Sequence, residues 1–515
     1  MVISILLSVL LSFAIFSKYD AANILFANMY NSKSHALSML PLAKNLVSHG
    51  HHVTMFTEAL EPGFKLNDNI VNAQALIPME IGGRTLNAFG FLTWHLDFIP
   101  DGIEGGFLLG DIFFRYSSKS AIFKRILNIS WDLVIADEMF PNSAATISLN
   151  AKRIFGTRIA LFSTTGKNFI SIIYEKPSDF FNTHSTLKAL ARNPIATPNY
   201  YLRHDRMSYD VRSFECRLKV FRDVLVEQVS IGILGERIIK HGARKAGFDN
   251  GFKDLISSAS ITIDEYFQKY RWPSTISNML IFTTTPCEVP RRLPNDIEEF
   301  ISNPRSRGTV YVAFGSIVDW TIAPPNVIKS FIEAFNSLVD YRVIWSIKIK
   351  LPKRLASHVM TISWAPQSAI LHDNRTKLFF THAGLKSVKE AICAGVPLLT
   401  IPFFADQMKN SLLAYQCGFA EIIHKRKITS TKLLSAMLQI LQNDTYQQRM
   451  LSVRSIYTDR IMAPLEVETF WVERILRSKS AEVAFRIRAV EMPWIPYLCF
   501  DVTLMVLCAI FLTSQ

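Results

Sequence analysis

The sequence predicts an α/β protein built from two Rossmann-like halves, each a parallel sheet covered by helices on both faces. Three observations carry that prediction. Short, wholly apolar runs alternate with longer amphipathic stretches, the pattern of parallel strands buried on both faces and joined by helices. Polar residues gather just after the apolar runs, where open α/β sheets present their ligand sites. The chain is 515 residues long, more than one hydrophobic core of about 250–300 residues accommodates.

Composition narrows the function classes. The formal net charge is +13 and the pI about 9.4, yet there is no basic run of five or more and no basic-aromatic nucleic-acid motif. The charge therefore reads as a solvated basic surface, and no nucleic acid is expected as a partner. Cys216, Cys287, Cys393, Cys417, Cys499 and Cys508 lie far apart, without a C-x-x-C pair or histidines at ligand spacing. They predict neither zinc nor a dense disulfide framework, and no metal is expected.

Residues 1–22 open with an apolar run broken only by Ser4, Ser8 and Ser12 and end in Ala21-Ala22. This reads as a cleavable signal peptide, the run being shorter than the ~20 residues of a membrane span. Secretory entry gives meaning to the sequons at Asn128, Asn374 and Asn443, of which Asn128 and Asn443 are the better candidates because Asn374 lies inside the stretch discussed below.

Residues 23–285 form the predicted N-terminal half. A strand at 23–30 leads through a loop, 31–35, into a helix marked by Leu37, Leu40, Ala43, Leu46 and Val47. No glycine fingerprint follows the strand, which argues against a nicotinamide or flavin enzyme. The loop offers His35 instead, at the mouth of the sheet. Further strands are expected at 52–57 and 131–136, the latter ending in Asp137, whose simplest role is to cap a helix beginning at Pro141. Residues 167–253 are rich in Phe, Tyr, Met and charge, with a helical stretch at 214–239; strands follow at 258–263 and 279–283. Three prolines and a basic pair make 286–294 a linker.

The C-terminal half, 295–480, begins with a strand at 309–314 ending in Gly315-Ser316, where backbone amides can approach phosphates. A helix at 327–338 and a strand at 343–347 follow. The stretch 364–407 then carries the chemistry. A strand at 377–380 ends in the turn Thr381-His382-Ala383-Gly384, with a helix at 387–394. Such a turn aims backbone N–H groups and a positive helix end above the sheet, where a diphosphate fits. His382 can donate to a phosphate oxygen, Ser387 can cap the helix or bond a phosphate, and Glu390 can accept from a vicinal diol. The next strand, 396–401, delivers Asp406 and Gln407, an acid and an amide suited to sugar hydroxyls. Trp364 offers a face for a base to stack on, and Gln367 offers an amide to base or ribose. A histidine at a strand end is usually a packing residue, and Asp-Gln at a turn is usually a solvated cap. The ordered set is what is specific.

Trp364, Gln367, His382, Gly384, Ser387, Glu390, Asp406 and Gln407, at these spacings, closely resemble the signature of the UDP-glycosyltransferases, the UDP-glucuronosyltransferase-like enzymes of animals. The resemblance spans nearly the whole mature chain and implies the two-domain GT-B arrangement, with the donor in the C-terminal half and the acceptor in the N-terminal half. It implies that Trp364 stacks on uracil, that Gln367 and Glu390 hold base and ribose, that His382 and Ser387 hold the diphosphate, and that Asp406 and Gln407 hold the sugar. Gly315-Ser316 joins the donor set. It further implies that His35 is the catalytic base and that Asp137, in the D-x-x-x-A-D pattern from Asp132, is its acid partner. Two positions depart from the pattern: Ala383 where glycine is common, and Lys386 where Asn or Gly is usual. That lysine can pair with the diphosphate or crowd it.

Two readings follow. One is an inverting transferase moving glucose or glucuronate from UDP to a hydroxyl of a small lipophilic acceptor, UDP-sugar being a co-substrate and no further cofactor being needed. The other is a catalytically weak relative that binds UDP-sugar or a sister subunit; homo- or hetero-oligomers stay open. Glucuronosyl relatives share an aromatic-Pro-Arg-Pro segment, here Tyr270-Arg271-Trp272-Pro273, in which Trp272 takes the arginine position. This leans toward UDP-glucose. Finally, 494–512 is apolar except for Asp501 and Thr503, and can anchor the chain in a thin bilayer with Asp501 at the lumenal interface. The expected location is the endoplasmic reticulum membrane with the body in the lumen, or a lumenal or secreted form if the segment does not span.

Overall fold

The structure, a computed structural model, describes residues 21–60, 69–95, 100–164, 210, 212–227, 233–265, 280–287, 292–315, 318–352, 354–404, 406–478 and 499–513. Two parallel sheets organise it. The first joins β1 (Asn23–Ala27), β2 (His52–Ala59), β3 (Ile70–Leu76), β4 (Leu133–Asp137), β5 (Arg158–Ser163), β6 (Ile261–Asp264) and β7 (Leu280–Phe282) in the order β3-β2-β1-β4-β5-β6-β7. The second joins β8 (Thr309–Ala313), β9 (Arg342–Ser346), β10 (Val359–Ile362), β11 (Thr376–Thr381), β12 (Leu398–Thr400) and β13 (Ala420–Ile422) in the order β10-β9-β8-β11-β12-β13. The same winding occurs twice. In each sheet the order reverses beside the first strand, between β1 and β4 and between β8 and β11, where the crevice of an open α/β sheet receives ligands.

The strands read as continuous apolar runs because both faces are buried. In β1, Ile24 and Phe26 enter one core while Leu25 and Ala27 enter the other. In β11, Leu378 and Phe380 pack on one face and Phe379 on the opposite one. Each large side chain so buried contributes about 1.5–3 kcal/mol. The expected ranges 258–263, 279–283 and 396–401 shrink to β6, β7 and β12. Residues 252–258 are helical, and the flanking prolines Pro397 and Pro402 bracket β12.

Helix α1 (Lys33–Ser48) begins earlier than its apolar spacing predicts, because Ser32 caps it: its hydroxyl accepts from the His35 backbone N–H. His35 therefore sits in the first helical turn and not in the preceding loop. Helix α2 (Met79–His95), also of the N-terminal half, reaches across to the other. The Trp94 indole donates to Asp319 O at 2.8 Å and packs edge-on against Trp320 and Phe403. Lys425 and Arg426 donate to the Thr93 and His95 carbonyls at the helix's C-terminal end, a placement the helix dipole favours.

Helix α3 (Asn142–Phe155) follows β4 after a Pro141 N-cap that makes no side-chain bond. Asp137 is thus not its cap. In the C-terminal half, α4 (Pro325–Asn336), α5 (Gln367–His372), α6 (Leu385–Ala394) and α7 (Gln407–Gln416) flank the second sheet. Helix α8 (Pro464–Arg477) returns to the N-terminal half, burying Val472 and Ile475 against β1, β4 and α1 residues. There Asn45 donates to Thr469 Oγ1 at 2.8 Å and His49 pairs with Glu473 at 2.8 Å.

The expected linker, 286–294, ends where the next helix begins at Asn295, and 288–291 lies outside the described residues. A disulfide joins Cys287 to Cys393, fastening this connection to α6. The signal segment (1–20), most of 167–253 and the 270–273 segment also lie outside the described residues. Of the expected anchor, 499–513 is described: α9 (Phe500–Thr513) has 14 residues, all exposed. Among the described residues, no helix is long and apolar enough to cross a membrane.

Candidate donor and catalytic site

On the N-terminal side, three strand or helix ends converge. Asp137, fully buried at the end of β4, receives His35 Nδ1 at 2.7 Å on Oδ2. Its other oxygen, Oδ1, accepts from the Met139 backbone N–H at 3.0 Å and from the Thr164 hydroxyl at 2.8 Å. Thr164 Oγ1 lies also 2.8 Å from His35 Nδ1. The carboxylate is therefore fixed on both oxygens and holds the imidazole with Nδ1 protonated, so that Nε2 is the basic nitrogen. Burial opposes protonation of His35, but the charge and hydrogen bond of Asp137, with a smaller contribution from Asp406, raise its pKa above the ordinary value.

Asp406 lies on the other half. Burial lifts its carboxyl to about 6, against the pull of the Asn410 hydrogen bond and the His35 charge. His35 and Asp406 thus bear on each other's protonation although they belong to different halves. Asn410 Nδ2 donates to Asp406 Oδ2 at 2.6 Å and to Ala383 O at 3.0 Å, tying the first turn of α7 to the turn after β11. Ala383 has φ +63°, a conformation that costs an L-residue roughly 1–2 kcal/mol. The Asn410 bond helps to hold it there.

His382 sits between two glycine backbones. A Cβ on Gly384 would lie 2.6 Å from its Nε2, and one on Gly315, where φ is +69°, would lie 2.8 Å from its Cε1. Both turns need glycine to seat the ring. Burial pushes the His382 pKa down to about 4, so the imidazole is neutral near pH 7 and can donate from one nitrogen. Ser387 lies in the first turn of α6, but Gly384 is the N-cap; the Ser387 hydroxyl accepts from Gln367 Nε2 at 3.3 Å.

The Gln367 amide is oriented by Tyr311, whose hydroxyl donates to its Oε1 at 3.2 Å, and it donates in turn to Glu390 Oε2. Lys386 Nζ donates to Glu390 Oε1 at 3.0 Å. The Gln407 Oε1 accepts from the Phe403 and Phe404 backbone N–H groups at 2.8 and 3.2 Å, which leaves its NH2 end to offer a sugar. Trp364 is half exposed, with Lys33 Nζ 4.4 Å and Lys348 Nζ 5.7 Å from its ring centroid. Beside Glu390 a partly open pocket runs between Leu37, Ser38 and Pro41 of α1 and Ser368, Lys386 and Glu390 of the other half. Ser316 lies outside the described residues.

The structure thus joins Gln367, Lys386, Ser387 and Glu390 by hydrogen bonds, seats His382 against Gly384 and ties Asp406, with Gln407 beside it, through Asn410 to Ala383; His35 and Asp137 pair on the N-terminal half, whose Lys33 reaches Trp364. Sequence reasoning missed Thr164, Tyr311, Asn410 and Lys33. A polar residue directly after the apolar run of β5 was a usable signal for Thr164, as was the i,i+4 spacing from Asp406 for Asn410.

This architecture is that of solved glycosyltransferases. A UDP-glucose:anthocyanidin 3-O-glucosyltransferase in complex with UDP aligns with TM-score 0.56 at 18% identity, covering 89% of this chain and 100% of that one. Phytolacca americana UGT2, complexed with UDP-2-fluoro-glucose and pterostilbene, aligns with TM-score 0.56 at 16% identity, covering 89% and 99%. These likenesses establish the GT-B fold class. Residues 194–514 match the family described as UDP-glucoronosyl and UDP-glucosyl transferase, and the chain belongs to that family. Among curated relatives, a UDP-glucuronosyltransferase of Pleuronectes platessa is 30% identical over 297 residues, 57% of this chain and 62% of the relative. The UDP-glycosyltransferase UGT5 of Dactylopius coccus is 34% identical over 215 residues, 41% of this chain and 40% of the relative. The alignments thus span between 40% and 62% of the curated relatives' own lengths.

Proposed function

We propose that the protein transfers a hexose from a UDP-sugar to a hydroxyl of a small lipophilic acceptor, with inversion at the anomeric carbon. The observation that carries this reading is His35, paired with buried Asp137 at 2.7 Å and electrostatically linked to Asp406 across the cleft. His35 Nε2 takes the acceptor's proton as its oxygen bonds to C1. The C1–O bond to the diphosphate breaks with its electron pair leaving on UDP. Attack from the N-terminal half, opposite the departing UDP, inverts C1. Asp137 keeps the imidazole in the required tautomer and stabilises the imidazolium. Turnover with a panel of UDP-sugars and phenolic acceptors tests the proposal; UDP binding with no transfer to any acceptor would favour the second reading, a binding relative. The hold of Lys386 on Glu390 is the observation on that side.

The donor is UDP-glucose in preference to UDP-glucuronate. Trp272 stands where glucuronosyl relatives carry arginine, and an unpaired glucuronate carboxylate in a closed site is costly. A neutral hexose needs only Asp406 and Gln407. Competition between the two donors in one reaction should favour glucose, and a glucuronate preference that vanishes in Lys386→Ala would reverse this assignment.

The body resides in the endoplasmic reticulum lumen, held to the membrane by 494–512. Exposed Asn128 and Asn443 are the acceptors for glycans there. Resistance to alkaline carbonate extraction, with endoglycosidase-sensitive glycans, is the expected result; release into the soluble fraction with intact glycans would make the protein lumenal or secreted.

A further inference from the structure

Three groups assigned to recognition of uridine are engaged within the protein itself. Lys33 covers the Trp364 ring at 4.4 Å, Lys386 holds Glu390 Oε1 at 3.0 Å, and Gln367 holds Glu390 Oε2. A base stacking on the indole face that Lys33 covers must displace that ammonium, and a ribose diol bonding Glu390 must compete with Lys386. Both displaced groups are cations, and the ligand that displaces them carries a diphosphate.

Their positions fix where the cations go. Lys33 and His35 share the first turn of α1. Lys33 faces Trp364, the base end of the donor, while His35 senses Asp406, the sugar end. A diphosphate joining base to sugar must run between those two ends, alongside the turn that carries Lys33. Lys386 approaches the same path from the other side, two residues after Gly384 in the turn that seats His382.

Resting on the UDP-sugar reading above, we propose that Lys33 is a donor-binding residue: on donor entry it leaves the Trp364 ring for the diphosphate, joined by Lys386 released from Glu390. One cation thus comes from each half of the molecule. The diphosphate draws the halves together, and the two charges oppose the negative charge that builds on UDP as the C1–O bond breaks.

Comparison of UDP with uridine isolates the diphosphate contact. Calorimetry on the full chain should show Lys33→Gln binding UDP about 5- to 10-fold more weakly, less than a fully buried hydrogen bond to a charged group contributes because solvent and salt screen a partly exposed site. Uridine should bind equally well or more tightly, since the ring is uncovered. Lys386→Gln should show the same divergence, and raising salt should erode UDP affinity less in either variant than in the wild type. Equal changes for UDP and uridine, in either direction, would overturn the proposal and leave Lys33 a simple cover of the ring; so would no change in either. A wild-type protein that bound neither ligand would instead remove the donor site itself.

Discussion

His35→Ala is expected to lower transfer by about 10²- to 10⁴-fold, the contribution of a positioned general base, while UDP binds nearly as before. The residue belongs to the N-terminal half and makes no part of the proposed donor set, so its loss removes a proton acceptor and leaves that set in place. Asp137→Asn should also be severely impaired. An amide cannot stabilise the imidazolium, and it can present its NH2 to Nδ1 and force the wrong tautomer. The pair also sets the pH profile. Because Asp137 raises the His35 pKa against the effect of burial, the neutral base forms only as pH rises above the ordinary histidine value of about 6.5, and the rate should climb there. In Asp137→Asn only burial remains as the main influence, so the residual activity's alkaline rise should move to lower pH. For stability the sign is opposite: protonated His35 supports the fold below its unfolded pKa, and that support fades as pH rises through the folded value. Loss of UDP affinity in His35→Ala matching the loss of rate would defeat the assignment, and near-normal turnover in Asp137→Asn would leave the carboxylate a structural role alone.

How much of this was legible from sequence depended on burial. Central strands such as β1, β8 and β11 announce themselves because both faces are covered and most of their residues are apolar. The edge strands do not. β3 reads Ile-Val-Asn-Ala-Gln-Ala-Leu and β13 only Ala-Glu-Ile, since an edge strand is less fully enclosed and keeps polar residues. The individual donor residues were legible as an ordered motif, whereas their mutual contacts were not. The i,i+4 spacing of Lys386 and Glu390 permits their pairing, but it does not say whether the ammonium turns there or toward the diphosphate. The pairing of Cys287 with Cys393 was equally hidden, the two being 106 residues apart with no local pattern. Thr164 and Lys33 act through partners that only the folded sheet brings near. The His35–Asp137 pair was proposed from resemblance, and its geometry follows from the sheet: β1 and β4 are neighbours with Ala27 opposite Ala136, so the loop after one strand meets the end of the other.

His382→Ala and Glu390→Ala should each weaken UDP binding by the roughly 1.5–3 kcal/mol that hydrogen bonds involving charged groups contribute, about 10- to 150-fold in Kd. The two losses should differ in kind. His382, kept neutral by a pKa near 4 and wedged between Gly315 and Gly384, is the residue proposed to bind the diphosphate. Its removal should therefore weaken UDP and leave uridine little changed. The same depressed pKa makes the folded protein less stable as pH falls from about 6.5 toward 4, because the unfolded histidine binds a proton that the folded one refuses; His382→Ala should flatten that part of the stability profile. Glu390 is the residue proposed to bind the ribose, so its removal should weaken uridine as well. It also releases Lys386 and Gln367 from their present bonds, and a Lys386 ammonium freed for the diphosphate should restore part of the UDP affinity. Glu390→Ala should accordingly cost uridine more than UDP, the reverse of His382→Ala. Calorimetry with both ligands on both variants distinguishes the roles, and unchanged UDP affinity in both would remove the two residues from the site.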